Sequence, residues 1–449
     1  MHNLITRNKY SISQYLLFLY LFLVPFMKVP KFAFMGDKIQ YCDLVFIPLF
    51  FILLISVLRK KIKLVKDSKV VLLILLAVLA TVSLFNSPVK SEVYFNVAGM
   101  IYLICVYFVI TNLVTDKKTL YIAIFIFSIT LLFISILGIL FFILFNFFNI
   151  NSLSFFMYGN VTDIQSALLP FSRSSSLLCS PEMYVNFTVL GVSCMSIYYA
   201  ATKKYDQRVL GISTALVLVG IILAFSRSFV GVLLVLSAVT FLFRKRSRLL
   251  YFIFIICVCL FIVLVLSAIF LWFFTVMPVS FSVDKSTGYG HIVFNTGWDT
   301  RYYLAKAALR MGVDHPFLGY GLGSFTNNFS LFMSQADLSA LMVRRGVPLE
   351  LLRIDPHSLY FGVIAEMGFL GLIMLMCFFT LILSKLWKAT KLACGDRIMT
   401  LACYVYFFCI IGYLINGFFA DVLSMRFLWV SLSLGVASAN ITREESCRG

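Results

Sequence analysis

The sequence predicts an all-α polytopic membrane protein, with about twelve transmembrane helices and one large outer loop that contains short helices. Three observations carry that reading. Hydrophobic residues make up 61% of the 449 positions and charged residues only 12%, with a mean hydropathy of +1.00, far outside the soluble range. A spanning helix needs about 20 apolar residues, and about a dozen such runs occur, near 12–27, 41–58, 70–85, 93–113, 119–145, 184–201, 209–225, 229–243, 249–276, 357–384, 398–415 and 426–441. The connecting segments, finally, alternate between basic and non-basic.

That alternation sets the topology. With the amino terminus inside, the inner segments include RKKIKLVKDSK (59–69), TDKK (115–118), TKKYDQR (202–208), RKRSR (244–248) and KLWKATK (385–391), and that side holds most of the 37 Lys and Arg. Short loops rich in Lys and Arg stay in the cytoplasm. The net charge of +18 is therefore a topology signal, and a nucleic-acid partner is excluded. Both termini are placed in the cytoplasm. No A-x-A site follows the first run, which reads as a retained span. The organisation is then 1–276, nine spans with an outer loop at 146–183; 277–356, the large outer loop; and 357–449, three spans and a cytoplasmic tail. Most of the eleven cysteines fall inside spans or on the inner side, where they read as small apolar filler and not as a disulfide framework.

Along the chain, Asp43 and Asn96 read as isolated polar residues near helix ends. The outer segment 146–183 is polar and irregular, with Arg173 its one basic residue, either a surface arginine or an anion ligand; SSSLLCSPE then gives a capped start, with Pro181 first in the next helix. The runs 209–225 and 229–243 are joined outside by almost nothing, AFSRSFVG, so Arg227 sits in a very tight turn near headgroup level. An arginine that deep costs on the order of 2.5–3.5 kcal/mol and calls for an anionic partner, or for snorkelling to lipid phosphate.

The long loop starts irregularly. From Trp298 a helix is predicted, capped by Asp299 or Thr300, with Tyr302, Ala305 and Leu309 on the face that packs down and Arg301, Lys306 and Arg310 free on the polar side. Gly312 followed by Pro316 would end it. HPFLGYGLGSF makes Gly-rich turns, whose backbone N–H groups could approach a phosphate or a sugar; no strand precedes them, so a nucleotide fingerprint is weak. Ser334 and Asp337 form a capping box for a second short helix. After Pro356 the next span begins at His357, and Gly362, Gly368 and Gly371 along it permit close helix approach. Glu366 between them reads as structurally bonded, for instance by an arginine. Asp421 and Arg426, further on, are a candidate ion pair.

Several chemistries are absent: no Asp-x-Asp pair, no His-Glu-x-x-His, no Gly-x-Ser-x-Gly, and four histidines too scattered for a zinc site of sequence-near ligands. No metal and no cofactor is called for. The outer side offers His357 and the arginines 173, 227, 301, 310, 344, 345 and 353. Arginine's fork suits phosphate oxygens, and a neutral histidine takes a proton from a hydroxyl near neutral pH. The reaction this set fits is displacement of a diphosphate by a hydroxyl at the outer face of the membrane. The competing class is a polysaccharide carrier with the loop as a cap. It would line its inner spans with charge, whereas here charge gathers outside.

His357-Ser358, nine residues, then Gly368-Phe-Leu-Gly371 resembles the signature of bacterial O-antigen ligases, His-(Asn/Ser/Gln)-x9-Gly-x-x-Gly. The Trp-x-x-Arg…His-Pro-Phe-Leu-Gly-Tyr-Gly run, Arg227 in its hairpin and the late large loop are also similar to that superfamily, which includes O-antigen and capsule polymerases. The motifs cover about 75 residues plus the hairpin; the topology covers the chain. The resemblance implies a bacterial inner-membrane glycosyltransferase with a periplasmic active site. It would move a glycan, with inversion and without metal, from an undecaprenyl-diphosphate carrier to lipid A–core (a ligase, the reading preferred here) or to a second carrier-linked glycan (a polymerase, with a chain-length regulator as a further partner). His357 matches the family's general base, and Arg227 and Arg301 its diphosphate-binding arginines. Arg173 and Arg310 are carried as further candidates for that anion.

Overall fold

A computed structural model describes residues 11–27, 39–60, 69–87, 90–158, 172–202, 207–224, 226, 228–243, 298–335, 337–339, 342, 354–392 and 396–446. The predicted span at 249–276, the start of the long loop, and Arg227, Arg344, Arg345 and Arg353 lie outside the described residues.

The described chain is helical almost throughout. In order come α1 (Ile12–Leu23), α2 (Tyr41–Leu58), α3 (Lys69–Val82, extended by a 3-10 turn Ser83–Asn86), α4 (Lys90–Leu113) and α5 (Lys117–Asn146). Next are α6 (Pro181–Ala201), α7 (Gln207–Leu223) and α8 (Phe229–Phe243), then α9 (Trp298–Asp314), the short α10 (Phe325–Asn328), α11 (Leu359–Leu392), α12 (Arg397–Asn416) and α13 (Arg426–Ser446). The exception is a two-residue antiparallel ladder, β1 (Met157–Tyr158) against β2 (Arg173–Ser174), with Tyr158 opposite Arg173.

Among the described residues, seven helices are long and apolar enough to cross a membrane: Tyr41–Leu58, Lys69–Asn86, Val93–Leu113, Lys117–Asn146, Pro181–Ala201, Leu359–Leu392 and Arg397–Asn416. Ile12–Leu23, Gly211–Ala224 and Phe229–Val239 are shorter apolar helices. The chain is a membrane protein. Its peripheral helices keep large apolar side chains exposed, as Ile47, Phe51 and Leu54 do on α2, a surface that lipid satisfies.

Helix α13, predicted as the last span, is in neither group. It carries Ser431, Ser433, Ser438 and Thr442, whose hydroxyls each donate to the carbonyl four residues back, at 2.6–2.9 Å. It packs against α4, α5, α6, α11 and α12, and every residue from Phe427 to Ala439 is buried. Small hydroxyl residues let five neighbours approach closely, so protein rather than lipid covers this helix. At its head Arg426 does not pair with Asp421. Both its Nε and Nη2 donate to Asp43, at 3.1 and 2.7 Å, a fork that ties α13 to α2. Asp43, expected to be an isolated polar residue near a helix end, is thus a half-buried anchor.

Separate from the main core is a second, small one: Leu304, Ala307, Ala308 and Met311 of α9 close on Phe325, Phe329, Ile354 and Ala365. This corrects the predicted facing of α9. Tyr302 and Leu309, expected to pack down, are 63% and 40% exposed. The opposite face is smaller (two alanines), and it fits closely on α11. Gly312 belongs to that contact: a Cβ there would lie 2.3 Å from Ile364 Cγ2. It is a packing glycine inside the helix, which runs on to Asp314, and not its terminator.

Candidate functional site: a histidine and an arginine against one turn

His357 lies just ahead of α11 and not in its first turn. Its φ is +48°, a left-handed conformation that a non-glycine residue keeps only when its surroundings enforce it, at a cost of about 1–3 kcal/mol. Three bonds enforce it. Leu359 N–H donates to the Gly417 carbonyl at 2.7 Å, the Ser358 hydroxyl donates to the same oxygen at 3.1 Å, and Tyr360 OH donates to the Leu414 carbonyl at 2.6 Å. The last carbonyls of a helix have no partner within it; here the residues after His357 satisfy those at the end of α12. Gly362 leaves room for Pro356 to fold back, with Pro356 Cγ 3.0 Å from where a Cβ would be.

Helix α11 is broken eleven residues beyond His357. Gly368 has φ 69° and ψ −177°, which separates a short half-helix carrying the His357 turn from the long membrane segment. The Gly-rich loop fills the break. Phe369 N–H donates to the Pro316 carbonyl at 2.8 Å, Tyr320 N–H to Ala365 O at 3.0 Å and Gly321 N–H to Glu366 O at 2.9 Å. The Glu366 carboxylate accepts Phe325 N–H at 3.3 Å and the N–H of Gly323. Glu366 is therefore structural, as expected, but its partners are backbone amides and not an arginine. Gly319, Gly321 and Gly323 all have positive φ, as the turns require. Their N–H groups, expected to face a phosphate or sugar, are instead engaged with His315, Glu366 and the Glu366 carboxylate. The loop is a wedge, gripped from its other side by Asn86 Nδ2, which donates to Gly319 O at 3.1 Å.

Arg301 is on the packed face of α9, not the free one. Its side chain is 21% exposed; Nη1 donates to the Phe419 carbonyl at 2.8 Å and Nη2 approaches Glu182 Oε1 at 3.3 Å. Burial pulls its pKa below the ordinary value, and Glu182 works against that shift. Gly417 and Phe419 belong to one turn after α12. The turn that fixes His357 and the carbonyl that fixes Arg301 are thus two residues apart.

That turn is held from beneath by two fully buried amides. Asn416 Nδ2 donates to Asn186 Oδ1 at 2.9 Å, and Gly231 N–H donates to Asn416 Oδ1 at 2.9 Å. Asn186 Nδ2 donates to the Glu182 carbonyl at 2.9 Å, while the Asn416 carbonyl accepts Phe419 N–H at 2.8 Å. Gly231 has no room for a Cβ, which would lie 2.5 Å from Gly412 O. Asn186, Asn416 and Gly231 are not among the residues that the sequence pattern marks as functional. A lone Asn in an apolar run was the available signal, since an unsatisfied amide in hydrocarbon is costly.

The other candidates are placed apart. Arg310 is nine residues from Arg301, about 180° round the helix. It is exposed, with Nη1 donating to Phe332 O at 2.8 Å, and it borders an open cleft of about 750 Å³ lined in part by Tyr302, Phe332 and Phe361. Lys306, expected to be free, pairs with Asp337 at 3.6 Å; Ser334 does cap its turn, accepting Asp337 N–H at 3.1 Å. Arg173 stands on β2, beside Ser174 and Ser176, whose hydroxyls donate to carbonyls of α5 at 3.0 and 2.8 Å. Arg227 is outside the described residues.

Residues 212–376, from α7 to the middle of α11, match a family model described as O-antigen ligase. No curated protein matches the chain.

Proposed function

We propose that the chain is a member of the O-antigen ligase/polymerase superfamily, a reading supported by the match over residues 212–376, and that it transfers a glycan from an undecaprenyl-diphosphate carrier to an acceptor hydroxyl, with inversion and without metal. The observation that carries the reading is the shared turn: Gly417 O anchors the residues after His357 and Phe419 O anchors Arg301. One rigid support thus carries a candidate base and a candidate phosphate ligand.

In this mechanism neutral His357 takes the proton of the acceptor hydroxyl as that oxygen attacks the anomeric carbon. The carrier diphosphate departs with the bonding electrons, gaining negative charge as it leaves. Arg301, and Arg227 from its hairpin, meet that charge, and guanidinium groups fixed beforehand favour the transition state over the bound substrate. Arg310 faces the other way and is left out of the diphosphate site; Arg173 is retained only as a further anion ligand. The acceptor we favour is lipid A–core, making the protein a ligase; a second carrier-linked glycan would make it a polymerase. The protein would lie in the bacterial inner membrane with both termini cytoplasmic and residues 277–356 periplasmic, an arrangement supported by the phase of the basic loops. A cysteine introduced at position 330 that reacts only after permeabilisation would overturn that placement.

The direct test is His357→Ala in purified, inserted protein, assayed with carrier-linked glycan and each acceptor in turn. Turnover should fall about 10²–10⁴-fold with monodisperse protein retained, and a chelator should leave the wild-type rate unchanged. Full activity in the variant, or loss on chelation, rules out the mechanism; the acceptor consumed decides between ligase and polymerase.

A further inference from the structure

Two arginine–carboxylate pairs among the described residues are built differently. Arg426 grips Asp43 with two nitrogens, at 3.1 and 2.7 Å, and their side chains are 12% and 16% exposed. Such a dry fork holds helices together. Arg301 meets Glu182 through one nitrogen at 3.3 Å, with 21% and 31% exposure. A single, long, partly wet contact is worth little, yet it occupies an arginine that the reading above assigns to the carrier diphosphate.

Resting on that reading, we propose that Glu182 is a displaceable counterion: it neutralises Arg301 while the site is empty, yields to the carrier diphosphate, and re-pairs to help expel the spent carrier. The geometry permits the exchange without disorder. Arg301 keeps its Nη1 bond to Phe419 O, so the guanidinium stays aimed while only the Nη2 partner changes. Glu182 is not stranded when released. It stands in the first turn of α6, just after the Ser180 cap, whose side chain accepts Met183 N–H at 3.1 Å. A helix N-terminus stabilises a carboxylate there, and its backbone is pinned by Asn186. A diphosphate brings more charge and more oxygens than one carboxylate oxygen, so it wins the competition. Once the glycan has left, the same competition limits how long the spent carrier stays.

The test is binding of undecaprenyl diphosphate, without glycan, to the full chain in nanodiscs, for wild type, Glu182→Gln and Arg301→Lys. Gln keeps the oxygen that Arg301 contacts and removes the charge, so the expected result is about two- to fivefold tighter binding, with product inhibition strengthened in step. Arg301→Lys should weaken binding. Unchanged or weaker binding in Glu182→Gln, with Arg301→Lys weakened, overturns the counterion role and leaves Arg301 as a diphosphate ligand. Unchanged binding in Arg301→Lys overturns both. If Glu182→Gln is not recovered folded, Glu182→Asp withdraws the carboxylate by one methylene, and the same comparison applies.

Discussion

Two clamps hold the His357 turn, and they are made of different materials. The upper one is the Gly-rich wedge, 316–325, joined to the break in α11 almost wholly through backbone groups, with Glu366 the main side chain involved. The lower one is the Asn186–Asn416 pair, where side-chain amides inside apolar helices link α6, α8 and the turn after α12. The upper clamp depends on glycines that let backbones meet, so any side chain there is an obstruction. The lower depends on hydrogen-bonding capacity, so a substitution removes bonds without forcing atoms together. The first should fail abruptly and the second by degrees.

Gly368→Ala and Gly319→Ala are the sharpest ways to break the upper clamp. A Cβ on Gly368 would lie 2.5 Å from Pro316 O, and one on Gly319 would lie 2.3 Å from the Glu366 carbonyl carbon. Both contacts are with backbone, which cannot step aside. Left-handed backbone at an alanine adds about 1–3 kcal/mol of strain. Each variant should lose most folded protein in a detergent-stability assay, and the remainder should turn over slowly. Near-normal stability in both would mean that the wedge does not sit in the break as described.

Asn416→Ala should do less. It leaves Gly231 N–H and Asn186 Oδ1 without the partner each now has, at about 1–3 kcal/mol for each buried group left unpaired. Its backbone carbonyl still accepts Phe419 N–H, so the turn keeps its shape. The expected outcome is a lowered melting temperature with inserted, partly active protein. Loss as complete as that of the glycine variants would erase the distinction between the clamps.

The two clamps were also unequally legible. The glycines at 319, 321 and 323 mark turns in the sequence and make them, whereas Gly368 reads there only as a residue that permits close helix approach; that the loop grips a broken helix and not a ligand depends on Pro316 meeting Phe369 and Tyr320 meeting Ala365 across about fifty residues. Tyr302 and Leu309 look like core residues in the sequence, yet they face outward. Alanines 307 and 308 pack closer, and Arg301 finds partners on that side. Asp421 is the candidate partner that local sequence offers Arg426, but the actual partner, Asp43, comes from the first fifty residues. Helix identity and membrane class follow from local composition. Which faces meet is set by long-range contact, and an isolated Asn in an apolar run does not reveal its partner.

Ser358→Ala is the smallest expected effect and isolates what the residue beside the proposed base contributes. The Ser358 hydroxyl is buried and donates to Gly417 O at 3.1 Å, but Leu359 N–H reaches the same oxygen at 2.7 Å. Removing the hydroxyl therefore leaves the carbonyl satisfied, and the loss is that of one neutral hydrogen bond, about 0.5–1.5 kcal/mol. The strain at His357 persists, since Leu359, Tyr360 and Pro356 still bracket it, so turnover should drop only severalfold. Asn at 358 supplies a donor amide in the same place and should restore most of the rate. If Ser358→Ala instead abolishes transfer while the protein stays folded, and Asn does not rescue it, the hydroxyl touches the reacting groups directly. His357 would then not act alone at this turn.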